Sequence, residues 1–380
     1  MGNRHGEDSA YQMRKARRKR EIRRRRRRRA LLKKIFCAGL LSVFAVTAAV
    51  FLIGKWGTEE SPGEKNTVKA VRESLRSDDA GQQNSEEEDF EQTESPDDAG
   101  SETDNSTDKD ENSLFHYLET EDTVRLGEDI VSSYAIFVDV DEETILAGKN
   151  EKDRIVPASM TKVLTLLVAV ENLDDLDAEF TITKEMAEYG FLHDCSGAGF
   201  EKGETVKIRD LLYGAILPSG ADAALGLAVC TAGSQEAFVE LMNKKLEELG
   251  LSDTAHFTNC IGSYEEDHYC TVYDMAVIMR AAVENEICRE VLSAHTYTTS
   301  GTEQHPDGIL LSNWFLRRIE DKDTGGEVVL GKTGYVVQSG NCAVSYGTGD
   351  KGRNCICVTV NAFNKWKCIN DHAAMYKKFG

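Results

Sequence analysis

The chain has 380 residues, of which 41% are hydrophobic, and a formal net charge of -20 at pH 7. This length and hydrophobic content are adequate for a folded domain with one sizeable core. A uniformly charged protein is excluded, because the basic run "RKARRKREIRRRRRRR" (Arg14–Arg29) lies in an otherwise acidic chain. The charge therefore has to be interpreted segment by segment.

The basic run leads directly into an apolar stretch. Residues 1–34 carry the arginine cluster, which by itself is typical of an arm that binds nucleic acid. The uncharged stretch "IFCAGLLSVFAVTAAVFLIG" follows at residues 35–54 and has the ~20 residues that a helix needs to cross a bilayer. This order predicts a basic cytoplasmic tail, a single-pass anchor in the cell membrane, an extracytoplasmic remainder and no nucleic-acid partner. A cleaved signal peptide is the alternative, although no convincing small-x-small site is present.

Residues 55–120 form an acidic segment. The stretch "SEEEDFEQTESPDDAGSETDNSTDKDEN" is rich in acidic residues, Ser and Thr, and it has almost no large apolar side chains. Such a composition cannot bury enough apolar surface to offset the entropy of ordering the chain, so a disordered linker is predicted. Repulsion between its charges should extend this spacer away from the membrane.

Residues 121–380 have the composition of one globular domain. Strand-like runs at 132–140 and 144–148 flank an acidic turn, which predicts an antiparallel hairpin at the start of the domain. Cys260 and Cys270 are close enough in sequence for a disulfide to close a short loop. Free buried thiols are the equal alternative.

The stretch "VPASMTKVLTLLVAV" (Val156–Val170) places Ser159 and Lys162 at the start of a predicted helix. Apolar side chains recur on nearly every face of this helix, which predicts that it is buried. Residues three apart share one face, so Lys162 lies beside Ser159. A serine becomes nucleophilic when a base takes its proton, and desolvation lets a lysine be that base. Ser-x-x-Lys alone is common, and an N-cap serine beside a solvent-reaching lysine is its structural alternative.

Two further motifs follow in the same domain. Ser219 lies in "LPSGADAALGLAV", a Pro/Gly turn before an apolar helix, and Lys332-Thr333-Gly334 lies between strand-like runs in "VVLGKTGYVVQSGNCAVSYG". The ordered set resembles the S-x-x-K, S-x-N and K-T-G motifs of the penicillin-recognising active-site serine enzymes. Over residues 132–380 the chain is most similar to the D-alanyl-D-alanine carboxypeptidases of the low-molecular-mass penicillin-binding protein group, peptidase family S11.

This resemblance implies a fold and a set of roles. The implied fold is α/β and β-lactamase/transpeptidase-like, with an antiparallel sheet flanked by helices and a mainly helical subdomain. Ser159 would be the acylated nucleophile, Lys162 its general base, and Ser219 a proton relay to the leaving D-alanine. The implied substrate-binding residues are Lys332, Thr333, Gly334 and Tyr335, and the backbone N–H groups of Ser159 and Tyr335 would form the oxyanion hole. The implied substrate is the peptidoglycan stem pentapeptide, β-lactams are the implied inhibitors, and the mechanism needs no metal or cofactor.

The sequence departs from the family pattern at one motif position. Where the family usually has Ser-x-Asn, this chain has Ser219-Gly220-Ala221, and alanine has no amide to offer. Losing one such hydrogen bond costs ~1 to 3 kcal/mol, which slows catalysis without abolishing it. Two rival functions stay open. One is a β-lactamase, although no Glu-x-x-x-Asn lies between Ser219 and Lys332. The other is a non-catalytic sensor that binds penicillin or cell-wall fragments.

The predicted anchor gives a testable topology. Protease added to intact protoplasts should digest the domain after residue 120, while a tag fused before Met1 survives, because the arginine run keeps the N-terminus in the cytoplasm. Immunoblotting of both ends measures this. A trimmed, soluble protein in the medium as the main form would contradict the prediction.

Overall fold

A six-stranded sheet is the central element of the computed structural model, which describes residues 115–380. Its strands are β1 (Leu118–Arg125), β2 (Tyr134–Asp139), β3 (Thr144–Lys149), β8 (Glu327–Val336), β9 (Gly340–Thr348) and β10 (Asn354–Ala362). They lie in the order β1-β3-β2-β10-β9-β8. The β1–β3 pair is parallel and the other pairs are antiparallel. Strand β8 is therefore an edge strand, with one side free to pair.

Most helices lie in the chain between β3 and β8. They are α1 (Lys162–Asn172), α2 (Lys184–Leu192), α3 (Ile208–Ile216), α4 (Ala221–Ala232), α5 (Gln235–Glu248), α6 (Val272–Glu284), α7 (Glu286–Ser293) and α8 (Leu316–Ile319). The last helix, α9 (Lys365–Phe379), follows β10. Two small antiparallel pairs, β4 (Glu179–Thr181) with β5 (Thr205–Lys207) and β6 (Thr296–Thr298) with β7 (Leu310–Ser312), lie in the helical part.

Helices cover both faces of the large sheet, so its inner strands are apolar on both sides. In β10, Ile356 and Val358 join the large core shared with α1, α3 and α6. The alternate residues Cys355 and Cys357 join a second core with Tyr376 of α9. Successive side chains of a strand point to opposite faces, which explains this division.

Helix α1 is buried on every side, as its apolar pattern predicts. All of its residues from Lys162 to Val170 are buried, including the polar side chains of Lys162 and Thr165. Neighbouring helices and the large sheet surround it, so the one lysine that it carries is withdrawn from water. The predicted antiparallel sheet flanked by helices, with a mainly helical part, is therefore confirmed.

The local predictions have different outcomes. The β2–β3 hairpin is confirmed, but β1 precedes it and extends the sheet by a parallel strand that the sequence pattern did not predict. All cysteines among residues 115–380 are free, including Cys260 and Cys270, so that pairing is not formed. The predicted anchor at 35–54 and most of the predicted linker lie outside the described residues. Among residues 115–380, no helix combines the length and apolar character needed to cross a membrane.

A close contact fixes α8 against the strand that carries the Lys-Thr-Gly motif. Gly331 of β8 lies under the fully buried ring of Phe315, and a Cβ on Gly331 would be 2.1 Å from Phe315 Cδ1. Asn313 Nδ2 also donates to the Gly331 carbonyl over 3.4 Å. Glycine is thus required immediately before Lys332 because a ring occupies the space of its side chain.

Gly331→Ala should destabilise the fold. The added methyl group must displace a buried ring, and overpacking of this kind lowers the free energy of unfolding by about 1 to 3 kcal/mol. Urea unfolding followed by circular dichroism measures the change. Gly127→Ala is the matched control, since a Cβ there meets its nearest atom at an ordinary 3.5 Å. Equal midpoints for the two variants would contradict the prediction.

Candidate active site

Ser159 lies in a short 3-10 turn, Ala158–Thr161, that runs directly into α1. The sequence prediction placed Ser159 in the helix itself, whereas the structure places it one short turn earlier. Pro157 precedes the turn, and Ala158 has a positive φ of 48°, which an alanine adopts only when its surroundings impose it. Turns of 3-10 type are common at helix starts and still bring residues three apart together. Lys162 Nζ lies 3.2 Å from Ser159 Oγ.

The Lys162 amine is almost completely buried, at 2% exposure. Burial lowers its pKa to about 8, against the opposing effects of the nearby Cys260, Cys195 and Asp222. Its Nζ also donates to the backbone carbonyl of Ile261 over 2.7 Å. A substantial fraction of this lysine is therefore neutral near physiological pH, which is the form that can accept a proton.

A second buried lysine holds the second motif serine. Lys332 Nζ donates to Ser219 Oγ over 2.8 Å and to the Thr333 carbonyl over 2.7 Å. Burial, followed by the positive charge of Lys162, depresses the pKa of Lys332 well below its ordinary value. Ser219 itself has a φ of 64°, a conformation that costs an L residue about 1 to 3 kcal/mol. The backbone conformation of Ser219 and the hydrogen bond from Lys332 together hold the Ser219 hydroxyl in one position.

Strand β8 passes very close to the nucleophile turn. A Cβ on Gly334 would lie 3.0 Å from the Ser159 nitrogen and 2.7 Å from Cys342 Sγ, so only glycine allows this approach. Thr333 and Tyr335 alternate with Lys332 and Gly334 along the strand, and the Tyr335 side chain is 61% exposed. The free side of this edge strand adjoins the reactive serine, as an added peptide strand requires.

One cleft of about 790 Å³ connects these features. The predicted site residues that line it are Ser159, Lys162, Ser219, Thr333, Gly334 and Tyr335. Lys332 is buried behind them and is linked to the cleft through its bonds to Ser219 Oγ and to the Thr333 carbonyl. Arg318 and Lys365 add positive charge to the wall, while Asp194 and Glu265 add negative charge. The structure thus brings all the predicted residues together, and their catalytic and binding roles stay predictions.

One buried residue beside the site, Asp222, belongs to none of the three sequence motifs. The carboxylate of buried Asp222 accepts the N–H groups of Ala198 and Ala223 at Oδ1, over 2.8 and 2.9 Å, and that of Gly199 at Oδ2, over 3.0 Å. It ties Ala198 and Gly199, which closely follow the cleft-lining residues 193–196 in the chain, to the start of α4. Acidic residues are common in the first turn of helices. The sequence therefore does not distinguish Asp222, which bonds a distant segment, from an ordinary first-turn acid.

Ala221, the position that departs from the family pattern, is fully buried. It is the first residue of α4, its N–H donates to the Ser196 carbonyl over 2.8 Å, and its methyl group belongs to the large core. It is not among the residues that line the cleft. The local packing is therefore built around a methyl group.

Comparison with known proteins places this geometry among one kind of peptidase. The family model described as D-alanyl-D-alanine carboxypeptidase matches residues 120–364. The D-alanyl-D-alanine carboxypeptidase of Streptomyces sp. strain K15 is 32% identical over 221 residues, which are 56% of this chain and 70% of that protein. The carboxypeptidase DacF of Bacillus subtilis is 36% identical over 152 residues, which are 40% of this chain and 39% of DacF. The chain thus spans about two fifths of that relative's length.

Solved structures agree with the sequence matches. The crystal structure of the Streptomyces K15 DD-transpeptidase superposes with a TM-score of 0.57 at 26% identity, covering 65% of this chain and 97% of that one. The D-alanyl-D-alanine carboxypeptidase of Mycobacterium tuberculosis superposes with a TM-score of 0.56 at 26% identity, covering 64% of this chain and 90% of that one. Nearly the whole of each solved chain is therefore represented in the described residues.

Ala221→Asn tests whether the missing amide can simply be restored. Because Ala221 is fully buried in the core, the larger polar side chain should clash or lose hydrogen bonds, lowering the free energy of unfolding by about 1 to 3 kcal/mol. Thermal unfolding and the rate of D-alanine release measure this together. An unchanged melting temperature with a tenfold faster rate would contradict the prediction. It would show that Ala221 merely lacks the hydrogen bond of the usual asparagine. Ala232→Asn, at the partly exposed end of the same helix, is the control.

Proposed function

Because the chain belongs to the D-alanyl-D-alanine carboxypeptidase family of serine peptidases, we propose that it removes the terminal D-alanine from peptidoglycan stem pentapeptides. The observation that carries the proposal is the distance of 3.2 Å between Ser159 Oγ and the buried amine of Lys162. A hydroxyl beside a lysine with a lowered pKa is an activated nucleophile.

In the acylation step, the neutral Lys162 amine takes the Ser159 proton as Oγ bonds to the carbonyl carbon between the two D-alanines. The backbone N–H groups of Ser159 and Tyr335 stabilise the oxyanion that forms. Ser219, held by Lys332, relays the proton taken up by Lys162 to the leaving amino group, so that the C–N bond breaks, free D-alanine departs, and Lys162 and Ser219 return to their starting protonation states. Water then hydrolyses the ester on Ser159 and regenerates the hydroxyl.

The substrate is proposed to lie along the free side of β8. Main-chain hydrogen bonds to an edge strand align an extended peptide, and the Thr333 hydroxyl with nearby cations receives its terminal carboxylate. Lys332 contributes indirectly, since its Nζ is already bonded to Ser219 and to the Thr333 carbonyl. β-Lactams would acylate the same serine as inhibitors.

The location of the reaction is part of the proposal. A single-pass anchor at residues 35–54, with the basic tail in the cytoplasm, would place the catalytic domain outside the membrane at the end of an acidic linker. The support is the arginine run directly before the uncharged stretch. The cell wall lies on that side of the membrane, so the proposed substrate and enzyme would share one compartment.

The experiment measures product release. Full-length protein incubated with a stem pentapeptide should release D-alanine and leave a tetrapeptide, as detected by mass spectrometry. Ser159→Ala should lose both this activity and covalent labelling by fluorescent penicillin, because the nucleophile is removed. Ser293→Ala is the matched control, since Ser293 is partly exposed at the end of α7 and its hydroxyl donates to the Glu290 carbonyl. Labelling without D-alanine release in the unmodified protein would favour a penicillin-binding sensor, and undiminished labelling of Ser159→Ala would contradict the assignment of the nucleophile.

A further inference from the structure

The segment Thr258–Ser263 packs directly against the turn that carries the nucleophile. Its Ile261 carbonyl accepts the hydrogen bond from Lys162 Nζ, and its Cys260 carbonyl accepts one from Thr165 Oγ1, each over 2.7 Å. Gly262 approaches so closely that a Cβ on it would lie 1.9 Å from the Ala158 oxygen. The position of the carbonyl that contacts Lys162 is therefore set by the shape of this segment.

One side chain determines that shape. Asn259 is 3% exposed, and the hydrogen bonds of its side-chain amide are to residues 258–265. Its Oδ1 accepts the N–H groups of Ile261 (3.3 Å), Gly262 (2.7 Å) and Ser263 (3.0 Å), and its Nδ2 donates to the Ser263 carbonyl (3.1 Å) and to Glu265 Oε1 (3.0 Å). Three successive N–H groups converging on one oxygen hold the backbone in a single turn.

A neutral histidine fixes the start of the same segment. His268 Nδ1 accepts the Thr258 N–H over 3.0 Å, so the ring proton is on Nε2 and is donated to Thr161 Oγ1 over 2.8 Å. Burial lowers the pKa of His268 to about 3, and the ring therefore stays neutral wherever Lys162 titrates. The segment is thus linked to the nucleophile turn through His268 and Thr161, and it is bonded directly to α1 at Lys162 and Thr165.

The Ile261 carbonyl has a specific consequence for the lysine. An amine that accepts a proton from Ser159 must direct its lone pair at that hydroxyl. A hydrogen bond from one N–H of the amine to the fixed Ile261 carbonyl holds the amine in this orientation. After proton transfer the same bond becomes charge-assisted and stabilises the ammonium. The carbonyl therefore aligns the neutral base and stabilises its charged form.

We propose that Asn259 is a positioning residue for acylation, which acts by holding the Ile261 carbonyl against the Lys162 amine. It contacts neither Ser159 nor Lys162, and its effect passes through the backbone of residues 261–263. The proposal rests on the proposed roles of Ser159 and Lys162. It assigns a function to a residue that is part of none of the three motifs.

The pH dependence of acylation reports on this arrangement. The other titratable groups that face Lys162 are Cys260 from the segment itself, Cys195 from the cleft wall, Asp222 from α4 and Lys332 from β8. Burial raises the pKa of Cys260 to about 12, which keeps that thiol neutral near pH 8. The acylation rate of the unmodified protein should rise with pH through the Lys162 pKa of about 8, because only the neutral amine accepts the proton.

The test follows acylation of the full-length protein by fluorescent penicillin across pH in a stopped-flow instrument. Asn259→Ala should lower the plateau rate about tenfold, equivalent to about 1.4 kcal/mol, because the base is misaligned. The midpoint of the curve of rate against pH should also move to lower pH in this variant, because the Lys162 ammonium loses a hydrogen-bond acceptor and the pKa of Lys162 falls. Asn259→Asp keeps an oxygen for the three N–H groups but turns its second oxygen toward the Ser263 carbonyl and Glu265 Oε1, which repel it, so it should recover only part of the plateau rate.

A matched variant separates positioning from general stability. Asn243 holds the backbone of Phe257, the residue directly before the segment Thr258–Ser263. Its Oδ1 accepts the Phe257 N–H over 3.0 Å and its Nδ2 donates to the Phe257 carbonyl over 2.7 Å. Asn243→Ala should lower the melting temperature without moving the midpoint. An unchanged midpoint in folded Asn259→Ala, or the same displacement in Asn243→Ala, would overturn the proposal.

A second measurement does not depend on enzyme activity. The pKa of Lys162 can be titrated by NMR in the full-length protein labelled at its lysine side chains. A lower pKa in Asn259→Ala than in the unmodified protein supports the positioning role, and an equal pKa overturns it. If the unmodified protein is never acylated, the proposed function fails while this titration still decides the role of Asn259.

Discussion

The buried contact between Lys162 and Ser159 is the constraint on which the surrounding structure depends. Burial of an amine to 2% exposure is tolerated only where the groups around it accept its hydrogen bonds. The Ile261 carbonyl is such an acceptor, while helix α1, which is buried on every side, keeps water away from the amine. The resulting pKa of about 8 makes the lysine a base near neutral pH. Burial that costs folding free energy thus produces the reactive form of the site.

The placement of β8 at the edge of the sheet gives this base access to a peptide. Its inner side pairs with β9, and its outer side adjoins the nucleophile turn and the cleft. Glycine occupies two points of closest approach, at Gly331 under Phe315 and at Gly334 beside Ser159. A larger residue at Gly334 would push the strand away from the serine, and one at Gly331 would displace the Phe315 ring. The glycine of the Lys332-Thr333-Gly334 motif is therefore required for steric reasons, whereas Lys332 and Thr333 are required for their chemistry.

Two buried lysines share the site but differ in what they contact. Lys162 bonds the nucleophile and a backbone carbonyl, whereas Lys332 bonds Ser219 and the Thr333 carbonyl. Each disfavours a second positive charge nearby, and the pKa of Lys332 is depressed partly for this reason. Asp222 supplies negative charge in return while it holds Ala198 and Gly199 to the start of α4. The electrostatics of the site follow from this arrangement of three buried ionisable groups.

Sequence patterns were sufficient to predict the buried helix α1, the proximity of Ser159 to Lys162 and the β2–β3 hairpin, because helical spacing and strand alternation are local properties of neighbouring residues. They did not predict β1, whose residues are mostly exposed and show no alternation, or the 3-10 turn that holds Ser159. The Ile261 carbonyl and its support by Asn259 were decided only by tertiary structure. A backbone oxygen is present at every residue, so no residue type marks the one that a distant lysine will contact.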